Sequence, residues 1–310
     1  MKTPDRTSKR YACTATSQKP DTAKEVYNMQ RRFFISTIVL MGLTLMTALP
    51  SVSFAESPVA GKIGIETANG QPTPTFLNHA GKLELDAAVQ HFEDLYRSDS
   101  SIAIAELNII RPRRQRLLTM KIWTQGEDKA LVVIQAPSRE KGSATLKVDD
   151  NLWNYLPRIR RTIRIPPSMM LASWMGSDFT NDDLVRESSF SKDYTYRIGG
   201  RSVDPTGWII DFVAREGTVG LWKRFELVIT LDGTLPLVSR WYNRRNELAR
   251  EITWSEVKVL DGKRLPTRMT LKPMDRDEEG HKTVMVYHEI DFGATLPADT
   301  FSLSRLEQKR

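Results

Sequence analysis

Four histidines, His79, His91, His281 and His288, are the side chains best suited to proton transfer or metal ligation near neutral pH. Their spacing supports neither role. None sits in an HExxH pattern or at another short ligand interval. Gly176-Ser177-Asp178 sets a serine beside a glycine, but the second glycine of a nucleophile elbow is missing. Asp178, Asp182 and Asp183 bring carboxylates close enough to suggest Ca²⁺, yet the glycine and closing glutamate of an EF-hand loop are absent. A plainer reading makes Thr180 a helix N-cap and Asp183, three residues on, its capping-box partner, with the carboxylates facing the helix dipole. The single cysteine, Cys13, precedes the export signal described below. The chain after that signal therefore has no disulfide, thiol nucleophile or thiolate ligand. The sequence predicts no enzyme, no cofactor and no metal.

In place of a reactive cluster there is patterned apolar surface, concentrated in Lys141–Leu184. Two extended runs, Ser143–Val148 and Asn151–Leu156, flank Asp149-Asp150, a tight turn. Trp153 and Tyr155 share one face of the second run, because side chains alternate along a strand. Arg158–Ile165 alternates again. Ile159, Arg161, Ile163 and Ile165 fall on one side, and Arg158, Arg160, Thr162 and Arg164 on the other. Pro166-Pro167 ends that strand. Between the prolines and Gly176, Ser168–Met175 predicts a two-turn helix. Met170, Leu171, Trp174 and Met175 cover one face, widened by Met169 and Ala172. So short a helix must be held by packing. It is either an ordinary core helix or, given the adaptability of methionine, a pliable lid over an apolar cavity.

The runs KGSATL, LWNYLP, MGSDF and NDDL in this stretch resemble the periplasmic outer-membrane lipoprotein-sorting proteins, the LolA-like family, and in particular its uncharacterised branch. The resemblance runs from about Leu85 to Leu303. It implies an incompletely closed antiparallel barrel with helices plugging its concave side. It does not specify a cargo, since members of the branch need not carry lipoproteins.

Ahead of this region, residues 1–28 form a polar leader without apolar periodicity. If translation starts at Met29, they are not part of the protein. From Met29 the chain has Arg31-Arg32, an almost uncharged run from Phe33 to Leu49, and Ser53-Phe54-Ala55. That is a basic start, an apolar core and a small-x-small cleavage site, so residues 29–55 read as a secretory signal peptide cut after Ala55. Phe33–Val52 is long enough for a membrane anchor, but Pro50 and the Ser53/Ala55 pair favour cleavage. No cysteine stands at the cut to be lipidated, so a soluble periplasmic product is expected. Cleavage would leave 37 basic and 35 acidic residues, a net charge of +2 against +7 for the whole chain. The basic balance then gives no reason to expect nucleic acid as a partner. Two clusters remain, Arg111–Arg116 and Arg158–Arg164, either solvated strand faces or contacts for anionic head groups or an acidic partner.

Residues 56–82 are rich in Gly, Pro and Thr and read as an irregular lead-in to a domain spanning 83–310. Leu85, Ala88, Val89, Phe92, Leu95 and Tyr96 have helical spacing, giving an amphipathic helix over about 83–97. Nearly everything after it alternates as strand: Ser101–Arg111, Leu117–Trp123, Lys129–Gln135, Trp222–Leu231, Leu235–Asn243, Glu247–Leu260, Leu265–Lys272 and Thr283–Phe292. Asp232-Gly233 and Asp261-Gly262 are hairpin turns. A shift of apolar parity between Trp254 and Val257 suggests a bulge. The fold class is therefore mainly β with helices (α+β), an antiparallel meander curved around its own interior.

Such an interior must be filled by side chains or by an apolar ligand. An acyl chain of roughly sixteen carbons needs shelter worth about 12 kcal/mol to cross water, at ~0.8 kcal/mol per CH₂. The expectation is a periplasmic carrier that shelters acyl chains of a lipid or lipoprotein during transfer towards the outer membrane. Its partners would be an inner-membrane transporter as donor and an outer-membrane acceptor, with the protein itself a monomer. Trp123, Trp153, Tyr155, Met170, Leu171, Trp174 and Met175 are the candidate cavity and lid residues. The alternative is a non-carrier adaptor or structural subunit of an envelope export or signalling complex, for which a filled interior would speak.

Overall fold

The computed structural model describes residues 75–186, 190–218 and 220–307, all within the unit Ile65–Arg310. The polar leader, the signal peptide and the cleavage point after Ala55 lie outside the described residues. Helix α1, Leu85–Asp94, is followed by β1 (Ser100–Arg111), β2 (Arg114–Gln125), β3 (Lys129–Ala136), β4 (Ala144–Val148), β5 (Asn151–Leu156) and β6 (Arg161–Arg164). Two short helices, α2 (Asn181–Arg186) and α3 (Phe190–Asp193), precede β7 (Tyr194–Val203), β8 (Thr206–Ala214) and β9 (Trp222–Ile229). Then come β10 (Pro236–Asn243), β11 (Leu248–Leu260), β12 (Lys263–Pro273), β13 (Lys282–Phe292) and α4 (Leu303–Glu307).

The strands form one antiparallel sheet in the order β6-β5-β4-β3-β2-β1-β13-β12-β11-β10-β9-β8-β7. Every neighbour is the next strand in the chain, except where β1 pairs with β13 and joins two meanders. Strands β6 and β7 are consecutive in sequence yet form the two free edges, so the barrel is not closed. The segment joining them therefore has to return from one edge to the other, and its described residues, 165–186 and 190–193, lie on the concave face.

Alternation is clearest in β1, where Ser101, Ala103, Ala105, Leu107 and Ile109 are buried and the residues between them are not. Turn chemistry sets the hairpin registers. Val148 pairs with Asn151 around Asp149 (φ 53°), and Leu260 with Lys263 around Asp261 (φ 45°) and Gly262 (φ 77°). At the Asp232-Gly233 turn Gly233 is left-handed (φ 78°), and a Cβ there would come within 2.8 Å of the Leu83 side chain and 3.1 Å of Phe76 Cβ, so the turn favours glycine. Helix α1 buries Ala88, Val89 and Glu93 against a core in which Phe212, Phe225 and Trp241, from three adjacent strands, stack at 4.2 and 4.1 Å. A second cluster, with Leu107, Leu118, Met120 and Ile134, centres on Trp174. A third lies under α4, where Leu306 and Phe301 pack on Leu131, Leu146 and Tyr155.

Three expectations need correction. Ser168–Met175 is not a two-turn helix. It is a 3-10 turn over Pro167–Met169 followed by a loop, with Met175 (φ 53°) and Gly176 (φ 74°) left-handed. The backbone groups a helix would use are taken elsewhere: Met170 O accepts from Asp182 N–H, Ala172 O accepts from Asn181 N–H, and Trp174 N–H donates to Phe179 O. The strand expected over Arg158–Ile165 is reduced to Arg161–Arg164, because Pro157–Arg160 forms the turn, with Arg160 left-handed (φ 50°). No bulge separates Trp254 from Val257: β11 holds one register on β12 from Arg250 to Leu260. Glu256 turns left-handed instead (φ 57°), its carbonyl accepting from the Thr267 hydroxyl, and Val257 and Val259 face solvent.

Candidate functional site

The concave face and the returning segment enclose a cavity of about 260 Å³. One wall comes from β2 and β3, with Met120, Ile122, Ala130 and Val132. The other comes from β9 to β13, with Phe225, Trp241, Ile252, Trp254, Met269 and Met285. Phe92 and Tyr96 enter from α1 and its end; Trp174, Phe179 and Leu184 enter from the returning segment. The lining is thus largely aromatic and aliphatic, interrupted by a few polar groups, among them Glu93, Lys147, Asp183 and Arg250.

Two polar clamps hold the returning segment in place. The first centres on Trp174, which is 1% exposed. Its indole N–H donates to Thr145 Oγ1 at 3.1 Å, and that hydroxyl donates to Asn154 Oδ1 at 2.7 Å. Nearby, Asp178 pairs with Arg111 at 2.9 Å and accepts from the Thr283 hydroxyl at 2.6 Å, while Arg116 donates to Met175 O at 2.7 Å. Arg111 and Arg116 are therefore spent on structure rather than free for a partner.

The second clamp is the start of α2. Thr180 N–H donates to Asp183 Oδ2 at 2.8 Å, and Asp183 N–H donates to Thr180 Oγ1 at 3.2 Å, a reciprocal capping box. Asp183 also takes a two-pronged contact from Arg250, at 2.8 and 2.9 Å. The Arg250 guanidinium lies over Trp222 and Trp241, with centroids 4.2 and 4.6 Å away. Burial alone would raise the Asp183 carboxyl, but the Arg250 charge and hydrogen bonds, with those from Thr180, outweigh it and hold it below the usual carboxylate range. The clamp thus ties the returning segment to β11 through a charged pair whose both members border the cavity.

Of the seven candidates from the sequence, the structure brings Trp174 to the cavity. Trp123, Trp153 and Tyr155 share the opposite face of β2–β5, packed with Leu131 and Leu146 under α4. Lys121 lies over the Trp123 ring at 5.2 Å. Met170 packs on Leu152, Ile165 and Leu184; Met175 packs on the Trp174 cluster; Leu171 is exposed. Both faces of β2–β5 are apolar, one towards the cavity and one towards α4, so alternation alone does not say which turns inward. Arg250, Ile252 and Trp254 form a further wall, and their alternation on β11 is its only signal in the sequence. Among the described residues no cluster of His, Cys, Asp or Glu could hold a metal ion.

Three solved structures share this architecture. A DUF1329 family protein from Desulfovibrio piger is 25% identical, with a TM-score of 0.64 over 76% of this chain and 100% of that one. A domain from Vibrio parahaemolyticus, provisionally described as an outer membrane lipoprotein-sorting protein domain, is 21% identical (TM-score 0.62, 72% of this chain and 98% of that one). A LolA superfamily protein from Nitrosomonas europaea is 18% identical (TM-score 0.59, 71% and 98%). At the last two identities the likeness is one of fold. No curated protein matches the chain. Residues 126–308, more than half of the chain, match the model of a family described as "Uncharacterized protein", and the chain belongs to that family.

Proposed function

We propose that this protein is a periplasmic carrier that shelters acyl chains of a lipid or lipoprotein on their way towards the outer membrane. The observation that carries this reading is the apolar cavity between the open sheet and a returning segment held by side-chain clamps. A self-supporting barrel has no need of such a cover, and its core would fill with its own side chains. The cavity volume, about 260 Å³, falls below the range of ligand pockets, roughly 300–1,000 Å³, so a whole acyl chain calls for the segment or α1 to give way. The lipoprotein-sorting description of the Vibrio structure points the same way. Loading needs a donor, because moving an acyl chain from bilayer to cavity exchanges one apolar phase for another. An inner-membrane transporter and an outer-membrane acceptor are the partners this predicts.

The second reading is an adaptor of an envelope complex, favoured by the large share of the interior that side chains already occupy. Native mass spectrometry of the purified exported protein separates the two. A carrier retains co-purified lipid mass, or takes up added long-chain lipid with a change in Trp emission. A folded, delipidated protein that does neither over a broad lipid panel removes the carrier reading.

A further inference from the structure

The tip of the β5–β6 hairpin combines two features that an isolated sheet edge does not need together. Leu156, Ile159 and Ile163 are 39%, 58% and 44% exposed, and Met169 and Leu171 beside them 49% and 50%. Arg158, Arg160, Arg161 and Arg164 are interspersed, and no acidic residue occurs from Leu156 to Leu171. Among the described residues Arg158, Arg160 and Arg161 make no ion pair, whereas Arg111 and Arg116 do.

Some of these residues share a side, with Arg164 on the opposite face beside Trp153. Asn154 pairs with Ile163 and Leu156 with Arg161, and Asn154 bonds Thr145 on the concave face. Leu156, Arg161 and Ile163 therefore extend the concave face out to the free edge. Met169 and Leu171 flank Met170, which packs on Leu152 and Ile165 of the same face. The result is a cationic, apolar rim continuous with the cavity side. Arginines alone would suffice to guard the free edge of β6 against pairing with another sheet. They do not account for five large apolar side chains left in water among them. Apolar residues set in a cationic surface fit the boundary of a bilayer with anionic head groups.

We propose that the β5–β6 tip, with Met169 and Leu171, docks on a membrane surface carrying anionic lipid, with Ile159 entering the head-group region. The site is separate from the cavity, so it stands whether or not the cavity carries acyl chains. The test uses the exported protein and vesicles of phosphatidylglycerol with phosphatidylethanolamine, against phosphatidylcholine vesicles. Co-sedimentation is expected with the anionic vesicles alone and weakens as salt rises. The triple substitution R158Q/R160Q/R161Q lowers affinity about a hundredfold, near fivefold for each arginine. Circular dichroism stays unchanged because all three are exposed. The substitution I159W gives an emission that shifts to the blue on vesicles. Absence of binding to anionic vesicles, binding that survives the triple substitution, or an I159W emission that vesicles leave unmoved overturns the proposal.

Discussion

The Trp174 indole donates to the Thr145 hydroxyl across 29 residues of sequence, and that hydroxyl donates in turn to Asn154 Oδ1. The three residues come from WMGSDF, KGSATL and LWNYLP, runs that are separate in the chain and joined here by two consecutive hydrogen bonds. That network fixes the returning segment over the cavity. Thr145→Val leaves the buried indole N–H without its partner, at about 1–3 kcal/mol, and takes one hydrogen bond from the half-buried Asn154 oxygen. Trp174→Phe removes the donor itself and costs less through this bond. Trp174→Phe also leaves a void in the core where Trp174 is buried, so the informative quantity in urea unfolding is the coupling: the double variant should be less destabilised than the sum of the two single variants. Additive losses would mean that the network is not coupled.

Asp183 and Arg250 predict an acid limit. The folded carboxyl titrates below the usual value of 3.8, so the unfolded chain takes up its proton first as pH falls. The pair's contribution is complete above about pH 5 and drains away below pH 4, as pH approaches and passes the folded value. With side chains only 7% and 15% exposed, breaking the pair by Asp183→Asn should cost about 3–5 kcal/mol at pH 7. The same variant should flatten the stability curve between pH 5 and pH 3 relative to wild type. A variant that keeps the wild-type acid slope would show that other carboxylates set it.

Thr180→Ala tests the helix start by itself. Loss of the cap costs roughly 0.5–2 kcal/mol, towards the upper end because Thr180 also steadies Asp183. A chelator should leave the melting temperature where it was. A melting temperature that falls on chelation, with calcium found by elemental analysis, would replace the cap with a metal site.

The fold was legible because its information is local. Alternation in β1 and the Asp-Gly and Asp-Asp turns fix strands and hairpins without reference to the rest of the chain. The site was less so, because a strand's parity gives two faces and not which of them turns inward. Trp153 and Tyr155 do share a face, but α4, some 150 residues later, covers that face and leaves Thr145 and Leu152 to the cavity. The Met/Trp run is not a helix for a similar reason: two of its carbonyls accept from Asn181 and Asp182, and its Trp174 N–H donates to Phe179 O. The capping box was visible because it spans only three residues.

Export is a prediction on the sequence side. If the signal peptide is cut after Ala55, N-terminal sequencing of the periplasmic fraction starts at Glu56. Recovery of the intact leader in the membrane fraction would make the protein anchored instead.

Filling the cavity separates carrier from adaptor without disturbing a clamp. Ala130 lines the cavity on β3, and its neighbours across the strands are Thr124 and Lys147. Ala130→Phe places a ring into open space, so the cost of overpacking, typically ~1–3 kcal/mol, is not incurred, and extra apolar burial can offset what strain remains. A carrier should then keep its melting temperature and lose lipid. The co-purified lipid mass falls, and Trp174 and Trp254, both in the cavity wall, no longer respond to added long-chain lipid. An adaptor has no lipid signal to lose, and the substitution changes stability alone. Wild-type protein that binds lipid and an Ala130→Phe variant that binds it equally well would place the ligand outside this cavity.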